Sequence, residues 1–121
     1  MKSIIIISII GVVAVSCTFD NKEDYFKGYV CDTTHVNYDE VNTILQENCV
    51  SCHKKDLNNR GIILDNYEGV VAAEDSDLLY KAVNHIPGNG IRITPMPYGL
   101  NKLPACPISK INTWIRQGMP R

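Results

Sequence analysis

At 121 residues the chain has room for one small domain. Its formal charge of −1, from 12 Lys and Arg against 13 Asp and Glu, leaves no basic excess to neutralise phosphates and argues against a nucleic-acid partner. The acidic surplus is equally too small to steer a charged substrate.

The chain opens MKSIIIISIIGVVAVSC, in which Lys2 precedes an apolar run from Ile4 to Val15 and small residues lead into Cys17. The run falls short of the ~20 residues needed to cross a bilayer, so residues 1–16 are predicted to be a secretory signal peptide. The competing reading is a buried strand of β-branched residues, which does not explain why the lysine, the run and the small-residue exit coincide at the N-terminus. Ala14-Val15-Ser16-Cys17 resembles the lipobox of bacterial lipoproteins, with Ala14 in place of the usual leucine. That resemblance implies acylation of Cys17, whose chains would anchor the protein at ~0.8 kcal/mol per buried methylene without a transmembrane helix. The polar, acidic residues that follow make 17–29 the acylated cysteine and its tether. Lys22-Glu23-Asp24 resembles an outer-face export signal, though a solvated charge cluster reads the same way. The expected location is the envelope of a Gram-negative bacterium, as an outer-membrane lipoprotein facing the periplasm or the surface.

Asn37 and Glu40 have the spacing of a capping box, and Val41, Ile44 and Leu45 follow at helical spacing, which predicts a helix over Tyr38 to Asn48. It runs straight into CVSCH at residues 49–53. Asp65 and Glu68 predict a second helix through Val70 and Val71, and Asp75 or Ser76 a third through Leu78, Leu79, Ala82 and Val83. Between Pro87 and Pro104 the sequence PGNGIRITPMPYGLNKLP is too rich in proline and glycine for a helix and predicts a long, functional loop. Ile108, Ile111 and Ile115 predict a last helix that faces the core with Trp114 and stops at Gly118; Pro104 and Pro107 fit only its first turn. Gly61 to Leu64 and Ile91 to Thr94 are strand candidates too short to define a sheet.

The chain has five cysteines. If Cys17 is acylated and Cys49 and Cys52 are consumed by CVSCH, Cys31 and Cys106 remain as one pair, or as two free thiols. Export places them where a disulfide persists, and closing a loop of roughly 75 residues stabilises the fold by about 4 kcal/mol in the chain-entropy model.

CxxCH is the attachment pattern of haem c: two thiols three residues apart meet the two vinyl groups, and the adjacent imidazole turns onto the iron. It arises by chance in only a few per thousand shuffled chains of this composition. A zinc site would need further ligands at metal-binding spacing, and a thioredoxin-like dithiol a βαβ context; neither is visible here. With His53 as one axial ligand, Met96 is the best candidate for the other. Its thioether is a soft ligand, and Pro95 and Pro97 hold the segment stiff and non-helical. His85, at the end of the third helix, is the rival for that position, giving bis-histidine ligation. His35 and Met119 are weaker rivals, and Tyr98 faces either a propionate or water.

CVSCH, Met96-Pro97 and the terminal ISKINTWIRQGMP together make residues 30–121 similar to monohaem class I cytochrome c domains, of the small bacterial lipoprotein type. Most of the similarity lies in DTTHVNYDEVNTILQENCVSCH and LPACPISKINTWI. The resemblance implies an all-α, cytochrome c-like fold of three to five short helices around one covalent haem c, thioether bonds at Cys49 and Cys52, and axial ligation by His53 and Met96. It also implies packing of the first helix on the last. The glycine and aromatic signature of mitochondrial-type first helices is missing, so their docking surfaces are not carried over. The expected function is that of a membrane-anchored one-electron carrier, monomeric, serving redox partner proteins. No nucleophile with a base, carboxylate pair or phosphate loop suggests bond-making chemistry. The alternatives are a haem enzyme or sensor with an open or histidine-ligated sixth position, and a structural lipoprotein that haem merely staples.

Overall fold

The computed structural model describes residues 30–57, 59–88 and 93–121. The predicted signal peptide, Cys17 and the tether fall in residues 1–29, outside the described residues. Cys31–Arg121 is one compact unit. Among the described residues it is all-helical, with four helices and no strand: α1 (Tyr38–Asn48), α2 (Tyr67–Glu74), α3 (Leu78–Asn84) and α4 (Ala105–Arg116). A single 3₁₀ turn, Asn59–Gly61, lies between α1 and α2. None of these helices is long and apolar enough to cross a membrane.

The first helix has the predicted bounds because its start is chemically specified. The Asn37 side chain accepts the Glu40 N–H at 3.1 Å, and the Glu40 carboxylate accepts the Asn37 N–H at 3.3 Å, which satisfies two donors that the first turn leaves unpaired. Val41, Ile44 and Leu45 then face inward and α1 packs on α4, whose Ile108, Ile111 and Trp114 are buried. Glu40 also accepts a hydrogen bond from the Lys110 ammonium on α4, which holds its carboxyl below the usual range. Trp114 closes the core in an aromatic cluster with Tyr38 and Tyr67, ring centroids 5.1 to 6.3 Å apart. The last residues fold back onto this cluster. The Tyr67 hydroxyl donates to the Met119 carbonyl, and the Trp114 indole N–H donates to that of Pro120.

The second helix begins one residue later than the cap signature predicts. Asn66, in extended backbone, accepts the Gly69 N–H at 2.8 Å, whereas the Asp65 carboxylate is turned away to the Lys55 N–H at 2.9 Å. Either side chain is a competent cap, and the tertiary contact to Lys55 decides between them. Gly69 is required by proximity: a Cβ there would stand 2.4 Å from the Ile63 carbonyl oxygen, so α2 rests directly on the backbone of Ile63.

Neither Asp75 nor Ser76 starts α3. Its N-cap is Asp77, in left-handed backbone and without a side-chain cap bond. The Tyr80 N–H in its first turn is instead accepted by the carboxylate of Glu74, the last residue of α2, at 2.9 Å. Glu74 is buried, and that burial pushes its carboxyl above the usual range. The α2–α3 pair is therefore a unit whose second helix is capped by the first.

Pro104 is the N-cap of α4 and Pro107 lies in its first turn, as the unpaired amides there permit; Gly118, at φ 82°, follows its end. Cys106 in that first turn is disulfide-bonded to Cys31, with Cα atoms 5.6 Å apart. Residues Gly61 to Leu64 form no strand, and neither do the described residues of the 91–94 candidate. The connection from α3 to α4 is irregular throughout its described residues.

Candidate functional site

A cavity of about 750 Å³ opens between the end of α1, the α2–α3 pair and the long loop before α4. That is within the range of about 300–1,000 Å³ typical of small-molecule and cofactor sites. Leu64, Ala73, Leu78, Leu79, Ala82 and Val83 make its walls largely apolar. Cys49, Cys52, His53 and Met96 all line it. The structure thus brings together, around one space, the four residues that the sequence singles out.

The first three are placed by the exit of α1. The Cys49 N–H donates to the Leu45 carbonyl at 2.8 Å and ends the helix. The Cys49 carbonyl then accepts the N–H groups of Cys52 at 3.1 Å and His53 at 2.9 Å, a further turn that carries both residues to the cavity. Both cysteines are free thiols, Cys49 buried and Cys52 exposed. Burial, with a smaller contribution from Cys52, pushes the Cys49 thiol up to about 11, so it stays protonated at neutral pH.

His53 is gripped from both ends by the segment under α2. Its carbonyl accepts the Leu64 N–H at 2.8 Å, and its Nδ1 lies 3.3 Å from the Ile62 carbonyl. The tautomer that donates from Nδ1 to this carbonyl leaves the Nε2 lone pair for a metal, the usual arrangement of a ligating histidine. Gly69 makes this grip possible, because it lets α2 lie against Ile63.

Met96 reaches the cavity from the loop before α4. Its N–H donates to the Ala82 carbonyl at 3.0 Å, and its own carbonyl lies 3.0 Å from Nε2 of His85. His85 does not line the cavity, so the predicted rival for the sixth position stands behind Met96 rather than beside it. His35 lines a separate shallow depression with Val36, Asn37, Gln117 and Pro120. Met119 is packed against the core by the aromatic cluster. Trp114 is fully buried in that core and does not line the cavity. Tyr98 and Leu100 are exposed at the mouth, beside Asn59 and Arg60.

The donor set fits a covalent haem. It comprises two thiols outside any disulfide, an imidazole whose Nε2 has no hydrogen-bond partner among the described residues, a thioether, and an apolar space that all of them line. No three His, Cys, Asp or Glu side chains converge as metal ligands among the described residues. Sequence reasoning missed the groups that orient the candidate ligands: the Ile62 carbonyl behind His53, and Ala82 and His85 behind Met96. Backbone carbonyls carry no sequence signal, and the sequence marks His85 as a rival ligand, not as a group that holds Met96. No protein-family model, curated protein or solved structure matches this chain.

Proposed function

We propose that residues 30–121 are a monohaem c-type cytochrome domain and that the protein is a one-electron carrier, anchored in the envelope of a Gram-negative bacterium by acylated Cys17. The observation that supports this most is the meeting of Met96 with Cys49, Cys52 and His53 at one apolar cavity, although Met96 lies on a different element far along the chain.

Haem c, when bound, supplies a reversible one-electron iron couple. Cys49 and Cys52 would hold it as thioethers, and His53 Nε2 and the Met96 sulfur would be the protein ligands of its iron. The chain's own contribution is position and environment. The Ile62 carbonyl holds the imidazole at Nδ1 and the Leu64 N–H holds the His53 backbone, while the apolar Leu64, Leu79 and Val83 walls would keep water from the bound group and so favour its less charged, reduced state. Tyr98 and Leu100, exposed at the mouth, offer an apolar surface where a redox partner can approach.

Expression with a haem-attachment system tests the reading. The expected result is a protein heavier by one haem, with a c-type pyridine haemochrome spectrum that is lost in Cys49→Ala/Cys52→Ala. A chain recovered from that system with two alkylatable thiols and no haem mass sinks it. Met96→Ala then separates a carrier from an enzyme or sensor with an open iron position. A carrier loses the sulfur-to-iron band of its oxidised form and drops in potential, whereas in the alternative neither changes.

A further inference from the structure

Resting on that reading, we propose that His85 is a positioning residue for Met96: it fixes the Met96 peptide to the end of α3, so that the thioether is presented to the cavity at little further entropic cost.

His85 occupies the C-cap of α3 in left-handed backbone, φ 59° and ψ 38°. Glycine or asparagine is the usual occupant of such a position, and a side chain with a Cβ is strained there. Nothing at the helix end needs an imidazole. The cap bonds there are made by backbone groups: the His85 N–H donates to Ala82 at 3.3 Å and the Ile86 N–H to Lys81 at 2.9 Å. The ring instead reaches out to the loop, where Nε2 donates to the Met96 carbonyl at 3.0 Å.

That bond acts together with a second one. The Met96 N–H donates to the Ala82 carbonyl, so both peptide groups flanking the Met96 Cα are tied to the last turn of α3. The base of this clasp is itself braced. The Asn84 side-chain amide exchanges two hydrogen bonds with Asn112 of α4, at 2.8 and 3.1 Å, and the Lys102 ammonium donates to the Asn84 carbonyl at 2.9 Å. A methionine side chain has three rotatable bonds to order on ligation. With its Cα held on a braced helix, those are the only torsions left to lose.

The decisive variant is His85→Asn in the haem-loaded protein. Asparagine suits left-handed backbone, so the helix cap and thermal stability are kept or improved, but its amide is too short to reach the Met96 carbonyl. The expected result is a Met96 amide that exchanges hydrogen about five- to tenfold faster, the loss of one hydrogen bond. Added imidazole, used as the probe, should bind the oxidised iron tighter by a similar factor. His85→Gln, which restores a donor near the Nε2 position, returns both towards the wild-type values. The proposal is overturned if His85→Asn leaves Met96 exchange and imidazole affinity within twofold, or if His85→Gln loosens the loop as much as His85→Asn does. If the protein carries no haem, the cytochrome reading has failed by itself. Met96 exchange in the same three chains still decides the role of His85.

Discussion

The two sides of the cavity are built differently. The His53 side is continuous with a helix: α1 ends at Cys49, one more turn brings Cys52 and His53 round, and Ile62, which holds the imidazole, follows nine residues later. The Met96 side has no helix of its own. Its loop borrows rigidity from the end of α3, which leans on α4 through Asn84 and Asn112. A candidate ligand on the first side is ordered almost as soon as the local chain folds. One on the second side is ordered only when three separate elements have docked. The Met96 side should therefore be the first to loosen under stress, and that asymmetry is open to attack from either direction.

The heaviest blow to it is removal of the disulfide. Cys31→Ser/Cys106→Ser frees the start of α4, against which the loop ends, and should cost about 3–4 kcal/mol, read as a lower urea midpoint. In hydrogen exchange, Met96 should lose protection well before His53; simultaneous loss would show that the two sides are one cooperative unit. Gly69→Ala strikes the other side. A Cβ 2.4 Å from the Ile63 carbonyl forces α2 off the segment that holds His53, for about 2 kcal/mol after the gain in helix propensity is offset. Faster exchange at Leu64 with Met96 little changed is the expected pattern.

Asn84→Ala is a gentler cut at the Met96 side. It removes the paired amides and leaves Asn112 without its partner, at about 1 kcal/mol, and should raise Met96 exchange while Leu64 stays protected. The smallest effect is pH-dependent and concerns Glu74, whose carboxylate caps α3. Burial raises its folded pKa above the unfolded value, so the folded chain binds the proton more tightly. The resulting stabilisation is complete below the ordinary carboxyl range and is lost as pH rises through the folded value. Glu74→Gln keeps an acceptor for the Tyr80 N–H and has no proton to lose. Relative to this variant, the wild type should lose stability from about pH 4 towards neutrality, measured as thermal midpoints across that range; parallel pH curves would refute it.

Legibility in the sequence follows the same division. The bounds of α1, its capping box and the run into CVSCH were readable because hydrogen bonds between near neighbours determine them. The stripe of α4 was readable because a buried face imposes its own period. The starts of α2 and α3 were not. Asn66 outcompetes Asp65 because Lys55, ten residues back, engages the aspartate; α3 is capped by Glu74 instead of by a residue at its own N-terminus.

By itself the sequence determined an all-α unit, the turn that gathers Cys49, Cys52 and His53, and the presence of a methionine in a segment that proline keeps out of any helix. These depend on periodicity and on bonds that span one turn. Only the tertiary structure decided that Met96 faces those three residues across an apolar cavity, that His85 stands behind it, and that Cys31 meets Cys106. Each of these joins residues whose separation in the chain carries no local energetic preference, so the packing of α3 on α4 and of the loop on α3 had to be known first.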